Sequence, residues 1–130
     1  MEYLNEAEKK LIAALRSGEY KQTTRRLFDG SKYCCLGVAC DISELARWNE
    51  KSMLDVTYYE YLREQDYLPE RVMEWLNWNN KEGMLTEVLR GIRLAELNDW
   101  GFTFNQIADI IEAGLVAKED GTLNKVKETR

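Results

Sequence analysis

The chain has 130 residues, 45% of them apolar and 32% charged, with a net charge of −5 at neutral pH and no histidine. Such a length and balance suit one folded domain with a substantial core and exclude a disordered chain. An acidic surface also disfavours generic nucleic-acid binding, which rests on phosphate neutralisation, and no apolar run approaches the roughly 20 residues of a membrane-spanning helix.

The N-terminus, Met1-Glu2-Tyr3-Leu4-Asn5-Glu6, is acidic and lacks a signal-peptide pattern, so the expected location is the cytoplasm. Asn5 with Glu8 three residues later has the form of a capping box, and Gly18 ends the helix that follows, with Leu11, Ile12 and Leu15 on one face. Residues Tyr20 to Phe28 lead into the turn Asp29-Gly30-Ser31, after which Lys32-Tyr33-Cys34 runs back as a short antiparallel partner. A second helix is expected from Cys35 to Trp48, with Leu36, Ala39, Ile42, Leu45 and Ala46 at helical spacing. Residues 49–67 are ambiguous: Asp55 to Tyr61 has strand composition, yet Tyr58, Tyr61 and Leu62 also fit a helix face.

Leu68-Pro69-Glu70 marks another helix start, with Val72, Trp75 and Leu76 as its apolar stripe and Asn77-Trp78-Asn79-Asn80 as its end. Met84 to Leu89 is a short apolar segment with strand character. Leu94 to Asp99 reads as a short helix closed by Gly101, and Thr103 with Gln106 caps a last helix. Phe102 and Ile107 are placed to staple that helix; Ile107, Ile110 and Ile111 face inward, and Gly114 ends it. The expected organisation is a globular domain over 1–116 and a polar tail over 117–130. The fold class is α+β, predominantly helical, with four or five helices and a small antiparallel hairpin or sheet.

Tyr33-Cys34-Cys35-Leu36-Gly37 is the most unusual stretch. Adjacent cysteines point in different directions, and Cys40 shares neither one's helical face, so a zinc site with its paired ligands does not assemble. A reactive thiol at a helix start is the second reading. Packing is the stronger one, because free cysteine behaves as a small buried hydrophobe and Gly37 permits close backbone approach. The pair of helices around Gly101 has helix-turn-helix spacing, but its second helix carries Asp109 and Glu112 and has no cation between Gln106 and Val116, so specific DNA binding is not expected.

Charge is uneven along the chain. Arg16, Lys21, Arg25, Arg26 and Lys32 face only Glu19 and Asp29 nearby, and Arg90 with Arg93 forms a second basic group. These are either a solvated surface or an anion pocket in which arginine forks meet phosphate. Asn98-Asp99 either closes a helix or supplies hydrogen bonds to a ribose or base edge.

Tyr20 and Gln22, Tyr33-Cys34-Cys35-Leu36-Gly37-Val38 with Cys40-Asp41, Leu68-Pro69-Glu70 with Val72 and Trp75, and Leu94 to Asp99 with Gly101, Phe104 and Ile107-Ala108 follow one another in a distinctive order. From Leu15 to about Ile111 this series resembles a family of small bacteriophage and prophage proteins. Two departures stand out: Gln22-Thr23 where the family often places glycine, and Leu76-Asn77-Trp78 where it tends to have Gly-Leu. The resemblance implies origin more than activity, and by analogy an accessory or anti-defence role in the host cytoplasm.

The leading expectation is therefore a non-enzymatic protein that sequesters a small nucleotide-derived ligand. Lys21, Arg25, Arg26, Arg90 and Arg93 would hold phosphate, Trp75, Trp78 or Trp100 would stack, and Asn98-Asp99 would read polar edges. An acidic inhibitor that binds a host protein is the alternative, and a carboxylate-dependent hydrolase stays open. No cofactor or metal is expected, no membrane partner, and self-association is left open.

Overall fold

The Asn5 side chain accepts the Glu8 amide at 2.8 Å while Glu8 accepts the Asn5 amide at 3.1 Å, a capping box that starts α1 (Glu6–Arg16). The computed structural model describes residues 3–86 and 89–119. Among them the chain forms five helices and one two-stranded antiparallel hairpin, so the α+β class with helices predominating holds. Leu11, Ile12 and Leu15 bury one face of α1 against α2 (Cys35–Ser43) and α5 (Phe104–Glu112). Residues 35 to 40 of α2 are all buried, which makes it the centre of the core. Gly37 is required there: a Cβ would overlap the Leu27 carbonyl oxygen, which itself accepts the Cys34 amide at 3.2 Å.

Helix α2 ends sooner than its apolar spacing predicts. Glu44 turns left-handed at φ 54°, and Trp48 already opens β1 (Trp48–Met53). The buried Tyr61 hydroxyl fixes this exit, accepting the Ala46 amide at 2.8 Å and donating to the Ala46 carbonyl at 3.1 Å. The ambiguous 49–67 stretch resolves into β1 and β2 (Val56–Tyr61), paired from Trp48↔Tyr61 to Met53↔Val56. At its root, Phe28, Tyr33, Trp48, Tyr59 and Tyr61 pack ring to ring, and Asp41 accepts from Tyr20 at 2.6 Å and from Trp48 at 3.0 Å. The short return of Tyr33 on Phe28 survives as a single antiparallel bridge.

A second two-residue turn, Leu62-Arg63, returns the chain at Glu64. Gln65 then accepts the Leu27 amide at 2.9 Å, so residues 65–67 run beside 25–27. Pro69 precedes α3 (Glu70–Leu76) as its cap, and Asn77 closes it in the left-handed region at φ 63°. Met84 and Leu85 form isolated bridges with Arg93 and Val116; Glu87 and Val88, inside the expected Met84–Leu89 segment, lie outside the described residues. The last two helices are α4 (Leu94–Asp99) and α5, whose cap pairs Thr103 with Gln106.

Packing continues past the expected boundary at 116. Ala117 donates to Met84 at 2.9 Å, and Lys118 forms a bridge with Trp78. The Lys118 ammonium is buried and donates to Glu8 at 2.6 Å and to the Tyr3 carbonyl at 3.1 Å. Trp78 donates to the other Glu8 oxygen at 2.8 Å, so both carboxylate oxygens of this buried acid are satisfied. The remainder of the expected tail, 120–130, lies outside the described residues.

Candidate functional site

Asn98 joins four parts of the chain. Its side-chain oxygen accepts from Gln22 at 2.8 Å and from the Cys35 amide at 3.1 Å, and its amide donates to the Thr23 carbonyl at 2.8 Å. Gln22 donates also to the Phe102 carbonyl at 2.8 Å. Asn98 is therefore a buried scaffold residue that ties the segment after Gln22 to α2 and α4. The neighbouring Asp99 extends the tie, accepting the Arg25 amide at 2.8 Å while Arg25 sits in the left-handed region at φ 69°. These bonds fix the backbone that presents Arg25 and Arg26.

Both arginines line a cleft of about 300 Å³ whose other walls are Asp66 and Tyr67, Glu82, and Ala95, Glu96 and Asp99 of α4. Four chain segments meet there because Gln65 bonds Leu27 and because Leu94 and Ala95 donate to the Gly83 and Glu82 carbonyls at 2.8 and 3.2 Å. Cys34 also contributes to the lining. Lys81 lies 4.6 Å from the Tyr67 ring centroid, covering one face of that ring.

The electrostatics of the cleft are mixed. Two arginines meet four carboxylates, a formal balance of −2. Among the described residues neither the Arg25 nor the Arg26 guanidinium has an ion pair or hydrogen bond. Arg93 lies beside two of the acids, its Nε 3.7 Å from Glu82 and its Nη1 3.9 Å from Glu96. Its Nε is buried and has no hydrogen-bond partner among the described residues.

Of the residues singled out in the sequence, Arg25, Arg26 and Asp99 share this cleft, and Asn98 stands behind it. Arg93 flanks it through Glu82 and Glu96. Lys21, Arg90, Trp75 and Trp100 are not among its lining residues. Lys21 is exposed and holds Tyr33 through its carbonyl, Arg90 is exposed in a turn, Trp75 packs against the core from α3, and Trp100 is 66% exposed at the end of α4. Asp66, Tyr67, Glu82 and Glu96 carry no sequence signal that groups them with Arg25 and Arg26, because their positions depend on contacts between distant segments. The only local hint was Glu96, three residues after Arg93, whose carboxylate accepts the Arg93 amide at 3.0 Å.

All three cysteines are buried and free. Burial pushes the Cys34 thiol up to about 11 and those of Cys35 and Cys40 well above their ordinary range, which keeps them protonated and unreactive at neutral pH. Among the described residues no group of His, Cys, Asp or Glu is arranged to hold a metal ion, and no helix is long and apolar enough to cross a membrane. A second hollow, of about 380 Å³ between α1 and α5, is weaker as a site. Its Arg16 is already held by Asp109 at 2.6 Å and Glu112 at 2.9 Å.

Residues 4–115 match the family described as a domain of unknown function, DUF8296, and the chain belongs to that family. No curated protein and no solved structure matches it.

Proposed function

We propose that this member of the DUF8296 family is a non-enzymatic binding protein that sequesters a small nucleotide-derived, phosphate-bearing ligand, in the manner of a phage accessory or anti-defence protein. The observation that carries the reading is that Arg25 and Arg26 line one cleft and that, among the described residues, neither guanidinium holds an ion pair or hydrogen bond. Unpaired arginines in a concave site are suited to a phosphate oxygen pair. The carboxylates opposite are acceptors for ribose hydroxyls or exocyclic amines, and the Tyr67 ring in the cleft wall offers an aromatic surface to a base. A volume of about 300 Å³ lies at the lower end for small-molecule sites, which suits one nucleotide better than two.

The test is thermal denaturation with a panel of nucleotides, on the wild-type chain and on Arg25→Ala/Arg26→Ala. A ligand at one hundred times its Kd adds about 2.7 kcal/mol, a shift of roughly 10 °C for a domain of this size. The double variant should lose that shift, and the ligand should be recovered chemically unchanged. Conversion of the ligand would replace sequestration with the hydrolase reading, and no shift from any nucleotide would overturn the proposal.

The alternative reading, an acidic protein-binding inhibitor, has one specific observation in its favour. The hairpin tip exposes Met53, Leu54 and Val56, with Glu50, Asp55 and Glu60 on the same arm. The complementary partner is a host protein with an apolar pocket bordered by lysine or arginine. It would lose a salt-sensitive interaction when Leu54 becomes Asp, while Arg25→Ala/Arg26→Ala would leave that interaction intact.

A further inference from the structure

Resting on the ligand-binding reading above, we infer that the cleft discriminates by phosphate charge: it takes the monoester or cyclic diester of a single nucleotide and rejects nucleoside di- and triphosphates. The argument starts from the imbalance of fixed charge. Arg25 and Arg26 can neutralise one phosphate group, but Asp66, Glu82, Glu96 and Asp99 share the same small space. Two further cations stand at the rim, and both are engaged: Arg93 lies beside Glu82 and Glu96, and Lys81 sits over the Tyr67 ring, so a second phosphate could recruit either one only by breaking that contact.

Each phosphate beyond the first therefore adds negative charge that faces carboxylates instead of arginines. Across a few ångströms in a partly desolvated cleft that repulsion is not negligible. A site built for polyphosphate would show the opposite composition, with backbone amides and cations surrounding the chain of phosphates. Here the abundant groups are acceptors, which select hydroxyl and amine donors of a nucleoside. The volume points the same way, since a cleft of about 300 Å³ lies at the small end for ligand sites and favours a ligand without a phosphate chain.

Discrimination by charge has a signature that discrimination by shape lacks. Added salt screens the repulsion between the extra phosphates and the carboxylates, so the preference should narrow as ionic strength rises. Asp66 is exposed and carries no ion pair among the described residues, so its amide replacement removes a charge without removing a support.

The experiment is isothermal titration of the full chain with AMP, 3′,5′-cyclic AMP, ADP and ATP, free of divalent cations, at low and at high salt. The expected result is binding of AMP or cyclic AMP at least tenfold tighter than ATP at low salt, a ratio that shrinks at high salt. Asp66→Asn should also narrow the ratio, through tighter ATP binding. ATP binding as tightly as AMP or more so would overturn the charge inference while leaving the ligand-binding reading in place. A tenfold preference unmoved by salt and by Asp66→Asn would overturn it too, because shape would then be the cause. Absence of binding by all four, and by the corresponding guanine, cytosine and uracil nucleotides, would overturn the inference together with the reading it rests on.

Discussion

Replacing Asn98 with alanine tests whether the site is assembled from the polar network behind it. The substitution strands the Cys35 amide, which is buried, and the Thr23 carbonyl, and it takes one of two partners from Gln22. A buried polar group left without a partner costs about 1–3 kcal/mol. The buried Cys35 amide carries most of that cost and the part-buried Thr23 carbonyl adds less, which places the expected loss at about 3 kcal/mol, or roughly 11 °C in Tm for a domain of this length. Urea denaturation with a matched thermal scan measures it, and hydrogen exchange at the Cys35 amide should accelerate. Asn98→Asp is a useful companion: it keeps the acceptor for Cys35 but turns a carboxylate oxygen toward the Thr23 carbonyl, so it should also destabilise. A loss below about 1 kcal/mol for Asn98→Ala would refute the reasoning, since water would then be satisfying the buried Cys35 amide in place of Asn98.

Truncation after Val116 removes Lys118 and leaves Glu8 buried with its charge unmatched, so the shortened chain should lose roughly 3–5 kcal/mol in chemical denaturation. Retention of full stability would mean that the Glu8–Lys118 pair does not support the core. The hairpin turn offers the opposite sign: Leu54 and Asp55 sit at φ 51° and 70°, where Asn-Gly is preferred, and Leu54 is 90% exposed. Leu54→Asn with Asp55→Gly should stabilise by about 1 kcal/mol in the same assay, and destabilisation would show that the tip is packed. The cysteines set an alkaline limit. The folded Cys34 pKa lies above its unfolded value, near 9, so its contribution is present below pH 9 and is lost as pH rises from 9 toward 11. Cys34 alone accounts for roughly 3 kcal/mol across that interval, Cys35 and Cys40 act in the same direction, and Cys34→Ala should flatten a pH titration followed by circular dichroism under reducing conditions.

The sequence is most legible where one turn of chain settles the outcome. Asn5 with Glu8 and Thr103 with Gln106 are complete signals within four residues, and both caps form as expected. Gly37 was legible as a point of close approach, though not that Leu27 would be the neighbour. The hairpin was not, because its tyrosines suit either period and its turn carries Leu54-Asp55 in place of a recognisable Asn-Gly. Lys118 looked like part of a polar tail because its partner Glu8 lies 110 residues away. The cleft shows both cases: Arg25 and Arg26 declared themselves as a basic pair, whereas Asp66 and Glu82 reach it through backbone bonds between remote segments. Nearness in sequence grouped Lys21 with Arg25 and Arg26, whose cleft it does not line, and Arg90 with Arg93, which only flanks that cleft.

The central claim is that a phosphate-bearing ligand occupies the cleft between residues 25–26, 65–67 and α4. Titrating the ¹⁵N-labelled chain with AMP while following backbone amide and arginine Nε–H resonances tests it most directly. The account expects saturable shifts centred on Arg25, Arg26, Tyr67, Ala95 and Asp99, with Arg90 and Trp75 unmoved. Shifts centred on the 53–56 hairpin tip or on the α1–α5 hollow, or no saturable shift at millimolar AMP, would contradict it.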